Sequence, residues 1–273
     1  MEEYRYVRIP RVISIDSVVT VFNKLYEPDF RYAGEYHDFW ELQCVLSGRA
    51  GICSEDNIYS LCAGQLVLHR PMAFHSVWTE GGDPLGLGVI SFRGSVAADT
   101  SRRLYNVPDD CMHALNELFR DAPRIFNMED IEVGGIRDES SLDAQRFLSR
   151  LELLLATVLA TEAAQGRDDE SIGVRNFRLI HAAIAANIER RLTVADIAKL
   201  CSMSESNVKK VFSKYAGCGL IEYCNKAKIV RAKELLASGM SVGEVADALG
   251  FDNQNYFSTV FKRIAGIPPS RFR

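Results

Sequence analysis

The feature that most constrains this chain is an internal repeat near its carboxyl end, within residues 192–263. Thr193-Val194-Ala195-Asp196-Ile197-Ala198 recurs 48 positions later as Ser241-Val242-Gly243-Glu244-Val245-Ala246. Past the next turn the offset is 49, so Val208, Val211, Phe212, Lys214 and Gly217 fall on Phe257, Val260, Phe261, Arg263 and Gly266. A repeat that gains one residue in a turn and keeps its apolar pattern on both sides is a duplicated supersecondary unit. Each copy opens on a capping-box pattern, Thr193 with Asp196 and Ser241 with Glu244, in which a hydroxyl and a carboxylate satisfy first-turn amides. A short helix follows, then a tight turn (Cys201-Ser202-Met203-Ser204 or Gly250-Phe251-Asp252-Asn253), then a longer amphipathic helix. That succession is the helix-turn-helix plan, whose second helix enters the major groove of DNA.

The residues left outward on each second helix separate this plan from an ordinary helical bundle. Burying Val208, Val211 and Phe212 leaves Ser206, Asn207, Lys209, Lys210 and Ser213 outward. Burying Phe257, Val260 and Phe261 leaves Asn253, Gln254, Asn255, Ser258, Thr259 and Lys262 outward. Amides reach adenine edges, cations reach guanine edges and phosphates, and hydroxyls serve either. Carboxylates are confined to the helix starts, at Glu205 and Asp252.

Charge supports the same reading. The overall formal charge of −4 hides a segregation: residues 174–273 hold 16 Lys and Arg against 8 Asp and Glu, and residues 1–173 hold 16 against 28. A basic third beside an acidic remainder points to nucleic-acid binding in one part only. With 273 residues the chain has room for two domains, each with its own core. The seven cysteines (Cys44, Cys53, Cys62, Cys111, Cys201, Cys218, Cys224) form no C-x-x-C pair or cluster, and are expected as buried small hydrophobes in a reducing cytosol. The N-terminus has no signal-peptide pattern and no apolar run reaches membrane-spanning length, so a cytoplasmic protein is expected.

The N-terminal half reads as all-β. After a weakly alternating start (Tyr4-Arg5-Tyr6-Val7-Arg8-Ile9, then 18–25), β-prone runs at 42–46, 51–53, 58–62, 66–69 and 87–92 are separated by turn-forming residues such as Ser47-Gly48 and Gly81-Gly82-Asp83-Pro84. This spacing predicts a sandwich or small barrel. His37-x3-Glu41-x6-Gly48, followed by Gly64-x6-Pro71-x3-His75, resembles the two sequence boxes of the cupin barrel. In metal-binding cupins such positions supply two histidines and a carboxylate to a divalent ion. The first box usually carries His-x-His; here only His37 is present, with Glu35 and Phe39 two residues to either side, so no metal is expected. The barrel mouth instead predicts a small-molecule pocket, with His37, Trp40, Glu41, Cys44, Phe74, His75 and Trp78 as candidate lining.

From Asp109 the apolar period changes. Met112, Leu115, Leu118 and Phe119 mark a helix ending before Pro123, a loop with Gly134-Gly135 follows, and Ser140-Ser141-Leu142-Asp143 opens a long helix. Its wide apolar face (Phe147, Leu148, Leu151, Leu154, Leu155, Val158, Leu159) predicts cover for the barrel plus a contact to a second subunit. The polar run Gln165-Gly166-Arg167-Asp168-Asp169-Glu170-Ser171 reads as a linker. An amphipathic helix at 174–190 (Phe177, Ile180, Ile184, Ile188) buttresses the first repeat unit, and one uninterrupted helix spans 220–238 between the copies.

Nearly the whole chain resembles the AraC/XylS family of bacterial transcription regulators. The most specific part is Gly250-Phe251-x4-Tyr256-Phe257-Ser258-x-x-Phe261-Lys262-x3-Gly266-x-Pro268-Pro269-x-x-Phe272-Arg273, with Phe272 where the family usually has Tyr. The first unit is looser: Val208 stands for the usual Leu, Lys210 and Lys228 for Arg, and Ser213 for Lys. The resemblance implies an α+β multidomain fold, with a cupin-like β-barrel, a helical connector and an all-α domain carrying two helix-turn-helix units. The expected boundaries are 1–97 for the effector-binding barrel, 98–165 for the connector and dimerisation region, 166–173 for the linker and 174–273 for the DNA-binding domain. Within the last, the first helix-turn-helix falls at about 193–214, the linking helix at 220–238 and the second helix-turn-helix at about 241–264. By this resemblance Ser206, Lys209, Lys210, Asn253, Gln254, Asn255, Ser258 and Thr259 read bases, and Lys214, Lys262 and Arg263 hold phosphates. The implied protein is a homodimeric, ligand-responsive regulator, an activator by family habit, with double-stranded DNA, a small effector and RNA polymerase as partners. No membrane contact, catalytic residue or cofactor is expected. The alternatives are a cupin metalloenzyme fused to a DNA-binding tail, using His37, Glu41 and His75, and a DNA-binding dimer that senses nothing.

Overall fold

The alternation between residues 13 and 96 becomes seven antiparallel strands in a computed structural model that describes residues 7–98, 100, 104–161, 167–168 and 171–272. They are β1 (Ile13–Tyr26), β2 (Trp40–Ser47), β3 (Arg49–Ser54), β4 (Asn57–Cys62), β5 (Gln65–His69), β6 (His75–Thr79) and β7 (Leu85–Val96). β8 (Leu104–Asn106), α1 (Asp109–Ile125), β9 (Phe126–Glu129), β10 (Glu132–Ile136), α2 (Ser141–Leu159) and β11 (Arg167–Asp168) follow. Tyr4, Arg5 and Tyr6, the linker residues Gln165, Gly166, Asp169 and Glu170, and Arg273 lie outside the described residues.

The strands form two sheets, β8-β5-β2-β7-β1-β10-β9 and β11-β4-β3-β6. Because strand side chains alternate faces, each sheet buries two different sets. The inner faces meet around Val45, Ile52, Leu61, Val67, Val77 and Val89. The outer face of the larger sheet, with Trp40, Leu42, Cys44 and Phe92, packs beneath Leu115 and Leu118 of α1 and Phe147 and Leu151 of α2. The outer face of the smaller sheet, with Cys53, Ile58 and Trp78, packs against the C-terminal helices.

Several expectations are corrected. α1 runs through Pro123 to Ile125: the proline gives up one helix hydrogen bond, and Arg137 Nε donates to the carbonyls of Pro123 and Phe126 at that end (3.1 Å each). Gly134 and Gly135 do not lie in a loop but in β10, which pairs with β9 through a bulge and extends the larger sheet at β1. β6, absent from the expected runs, is fully buried and therefore lacks the polar alternation that marks a half-exposed strand. Arg167–Asp168 of the linker pairs with Tyr59 and Ser60 of β4. Cys62 is exposed, unlike Cys44, Cys53, Cys111, Cys218 and Cys224.

The C-terminal part is helical: α3 (Ile172–Ala185), α4 (Val194–Leu200), α5 (Glu205–Ala216), α6 (Leu220–Ala237), α7 (Val242–Ala248) and α8 (Gln254–Ala265). α3 stops short of Arg190, where Asn187 Nδ2 donates to the Ala183 carbonyl (2.8 Å) and competes with the helix backbone. Both capping boxes form: Thr193 and Ser241 accept from the amides of Asp196 and Glu244, whose carboxylates accept from the Thr193 and Ser241 amides (2.9 and 2.8 Å). α5 and α8 each end at a glycine in the left-handed region, Gly217 and Gly266. Among the described residues, no helix is long and apolar enough to cross a membrane.

Each unit has its own core, one around Phe177, Ile197, Val208 and Phe212, the other around Ile229, Val245, Phe257 and Phe261. α6, with 18 residues, is about 27 Å long and contributes Leu220 and Tyr223 to the first core and Leu236 to the second. Between them Lys228 is buried; its ammonium donates to the carbonyls of Arg190 (2.7 Å) and Leu249 (2.6 Å) and lies 5.1 Å from the Phe251 ring centroid. Burial lowers its pKa. Lys228 thus braces the loop before α4 to the end of α7. Lys228→Ala strands the buried Leu249 carbonyl and the part-buried Arg190 carbonyl and is expected to destabilise the C-terminal half by about 2–4 kcal/mol, read by urea unfolding.

Candidate functional site

The second helix of each unit presents a polar outer face. On α5, Ser206, Lys209, Lys210 and Lys214 are exposed, while Val208, Val211 and Phe212 are buried beneath them. On α8, Gln254, Asn255, Thr259 and Lys262 are exposed and Ser258 is half-buried on the same arc. Asn253 has a structural role as well: its Oδ1 accepts from the Tyr256 amide (2.8 Å) as the helix N-cap. Arg263 is exposed but stands at the edge of this arc, lining a cleft with Tyr256, Glu35 and Glu222. Gly266, Pro268 and Pro269 lead into a 3-10 turn (Pro269–Arg271) that returns Phe272 onto Phe261, ring centroids 5.7 Å apart. The tail therefore closes the core that supports α8.

The second site is a polar layer inside the sheet domain, and ladder register explains its membership. Glu41 of β2 pairs with His69 of β5 on one side and Ser91 of β7 on the other. Across the interior, Ser54 of β3 pairs with His75 of β6. One residue pair deeper, Val67, Val89, Ile52 and Val77 make the layer apolar, apart from Gln43. The Glu41 carboxylate accepts from Gln43 Nε2 (2.7 Å) and Ser91 Oγ (2.8 Å), and Ser91 accepts in turn from Thr20 Oγ1 (2.6 Å). His69 Nδ1 meets Ser54 Oγ at 3.2 Å, and its ring stacks on His75, centroids 4.2 Å apart.

His37 and His75 close over Glu41. Their Nε2 atoms lie 3.5 and 3.3 Å from its two oxygens, and His75 Nε2 is 3.8 Å from Glu35 Oε1. Burial alone would raise the Glu41 carboxyl, yet the two imidazoles hold it well below the usual carboxylate range. Burial alone would lower His75, yet Glu41 and Glu35 raise it above the ordinary histidine value.

Of the seven residues expected to line a pocket, His37, Glu41 and His75 come together. Trp40 and Cys44 occupy the opposite face of β2, where Cys44 Sγ lies 3.7 Å from Met112 Sδ of α1 and Trp40 stacks on Phe92. Phe74 and Trp78 face out of the smaller sheet, Phe74 edge-on to Tyr223 and Trp78 to Tyr215. Trp40 and Cys44 stand at odd offsets from Glu41, so the two-residue period of the strand puts them on its other face. Glu35, Gln43, His69 and Ser91 were not anticipated; the signal available was the alternation of Glu41 and Gln43 with Trp40, Leu42 and Cys44.

The two sites are joined by a strap, residues 31–36. It pairs with β6 through Arg31 to Trp78 and Glu35 to His75. From its other edge the Gly34 amide donates to the Ala216 carbonyl (3.0 Å) at the end of α5, and its carbonyl accepts from Lys226 Nζ of α6 (2.8 Å). Arg31 donates to the Lys214 carbonyl, and Ser76 Oγ donates to the Tyr215 carbonyl (2.7 Å). The polar layer is thus seated on the C-terminal end of α5, away from Ser206, Lys209 and Lys210. Beside this seat, Tyr36, Phe74, His181 and Tyr223 line a cleft of about 290 Å³.

Residues 24–171 match the AraC-like ligand binding domain, and residues 197–273 match a helix-turn-helix domain. The HTH-type transcriptional activator RhaR of Mannheimia succiniciproducens is 22% identical over 268 residues, covering 96% of this chain and 93% of RhaR. AdaA of Bacillus subtilis, a bifunctional transcriptional activator/DNA repair enzyme, is 33% identical over 96 residues, 35% of this chain; the match spans only 46% of AdaA. Among solved structures, ToxT of Vibrio cholerae is similar over 93% of this chain and 97% of its own, at 17% identity and a TM-score of 0.37.

The strap's seat depends on Gly34, where an added Cβ lies 2.0 Å from Cζ of Phe74. Gly34→Ala is expected to cost about 1–3 kcal/mol at the seat and to speed amide exchange at residues 31–36 and 214–217 about tenfold or more. Hydrogen exchange read by mass spectrometry checks it, with residues 242–265 as the unaffected control.

Proposed function

The chain belongs to the family of regulators that carry an AraC-like ligand-binding domain, and on that premise we propose how its two halves divide the work. The DNA-binding half reads operator DNA with α5 and α8, which enter successive major grooves of one duplex. The observation that carries this reading is the pairing of two exposed faces of amides, hydroxyls and cations, without carboxylates at their centres, on one stiff connecting helix. A rod of about 27 Å is close to one turn of B-DNA, roughly 34–36 Å. Ser206, Lys209, Lys210, Gln254, Asn255, Ser258 and Thr259 are the proposed base readers, with Asn253 holding the start of α8. Lys214 and Lys262 are the proposed phosphate contacts, and Arg263 joins them from the edge of its helix.

The sensor half binds an effector at the polar layer of His37, Glu41 and His75. Trp40, Cys44, Phe74 and Trp78 act as walls of the adjoining cores. Binding there changes how firmly the strap seats the sensor on α5; a ligand shifts this balance only through different affinity for the seated and unseated states. The protein works by binding, not turnover, in the cytoplasm. Two copies pair through the exposed part of α2, where Leu142 and Leu153 remain uncovered, and the assembled dimer activates transcription by contact with RNA polymerase.

Selecting DNA fragments from a random library with the purified chain tests the reading. The expected result is two short conserved blocks about one helical turn apart; no preference over bulk competitor at moderate salt overturns it. Lys262→Ala should weaken binding to all sequences and lower the slope of log affinity against log salt by about 1, read by fluorescence anisotropy across a salt series. Asn255→Ala should cost about 1–3 kcal/mol on the selected site and relax preference at one base pair, while affinity for random DNA stays unchanged.

A further inference from the structure

We propose that Glu35, His37, Glu41 and His75 bind one divalent first-row transition-metal ion, and that this ion is the ligand the sensor reports. The metal centre stands on the geometry of the barrel; its role as a signal rests on the regulatory reading above.

Spacing comes first. One donor atom from each of the four residues can be chosen so that all lie within 4.8 Å of one another. The separations from His75 Nε2 and His37 Nε2 to the Glu41 oxygens are 3.3 and 3.5 Å, and His75 Nε2 stands 3.8 Å from Glu35. A charge-assisted hydrogen bond between imidazolium and carboxylate closes to about 2.7–2.9 Å. Adjacent donors around a cation with bonds of about 2.1 Å stand about 3–3.5 Å apart. The two separations to Glu41 match the second arrangement, and Glu35 stands slightly farther out.

The ring orientations agree. His37 Nδ1 faces the Phe39 carbonyl (2.9 Å) and His75 Nδ1 faces the Ala73 carbonyl (3.1 Å). A carbonyl only accepts, so each Nδ1 carries a proton, and each ring turns its Nε2, the atom free to ligate once it carries no proton, toward Glu41. A backbone carbonyl holding the far nitrogen of a histidine is the usual outer support of a metal ligand. Both Nε2 atoms are buried without a hydrogen-bond partner, a costly condition that a cation between them relieves. Gln43 and Ser91 each take one lone pair of Glu41, leaving others to chelate.

The donor set fixes the class of ion. Two imidazoles and two carboxylates, without a thiolate, suit manganese through zinc in their divalent states better than calcium, magnesium or copper(I). Two carboxylate charges neutralise the dication, which suits a buried layer. The sequence predicts no metal because the first box lacks its second histidine; the fold brings Glu35, two residues before His37, into that place. Glu35 is also the half-exposed member, giving the ion its way in. It belongs to the strap, one residue from the Gly34 amide that bonds the end of α5. An ion that draws Glu35 toward Glu41 therefore acts directly on the seat of the DNA-binding half.

Cobalt(II) is the probe, because its visible bands report coordination. Chelator-treated full-length protein is expected to bind one equivalent of Co²⁺ with new visible absorption. Glu35→Gln and His37→Gln, each with unchanged far-ultraviolet circular dichroism, should weaken that binding about tenfold or more. No saturable binding, or equal affinity and spectra in both variants, overturns the metal centre. On the selected operator fragment, Co²⁺ should change wild-type DNA affinity several-fold and leave Glu35→Gln unchanged. Stoichiometric cobalt binding without that change overturns the signalling role alone. Loss of specific DNA binding with and without cobalt overturns the regulatory reading and leaves the metal centre standing.

Discussion

The two-residue period of one short strand holds this molecule together. β6 turns His75 and Val77 in between the two sheets and Ser76 and Trp78 out toward the C-terminal helices. The inward set reaches Glu41 and the apolar layer beneath, while the outward set grips Tyr215 at the end of the first reading helix. The buried polar layer and the interdomain packing therefore use opposite faces of the same five residues. A shift of register by one would exchange them and destroy both. The complete burial of the strand follows from this double duty.

The helical half was largely readable because its signals are local. Thr193 with Asp196, Ser241 with Glu244, and the glycines at 217 and 266 mark helix ends within a few residues, and they stand where the chain starts and stops its helices. The sheet half was less readable. His37, Glu41 and His75 could be singled out from spacing, but Glu35, His69 and Ser91 reach the same layer only through ladder pairing between distant strands. Pro123 looked like a stop because its support, the guanidinium of Arg137, lies 14 residues away. Gly134 and Gly135 looked like a loop because a bulged strand resembles one in sequence.

The apolar face of α2 shows a different kind of ambiguity. Its periodicity was wide enough for two partners, and the fold commits Phe147, Leu151, Leu154, Leu155 and Val158 to the sheet and α1. Leu142 and Leu153 are left over, one helical stripe with Arg146 and Ser149 between them. Pattern alone reports that a surface is apolar, not which neighbour covers it. Glu152 illustrates the same limit: it interrupts the apolar run, yet its carboxylate accepts from the Ile15 amide (2.9 Å) and fastens the helix to β1.

Lys228 has a consequence for the genome rather than for the protein. By tying the carbonyls of Arg190 and Leu249 to the middle of a continuous helix, it fixes the distance and relative rotation of the two helix-turn-helix units. Under the proposed two-groove binding mode, one base pair gained between the two contacted blocks turns the second by about 35° out of phase. The duplex must then absorb the error by untwisting or kinking, at a cost that depends on its own sequence. Under that binding mode, spacer length and spacer flexibility become part of what this regulator selects.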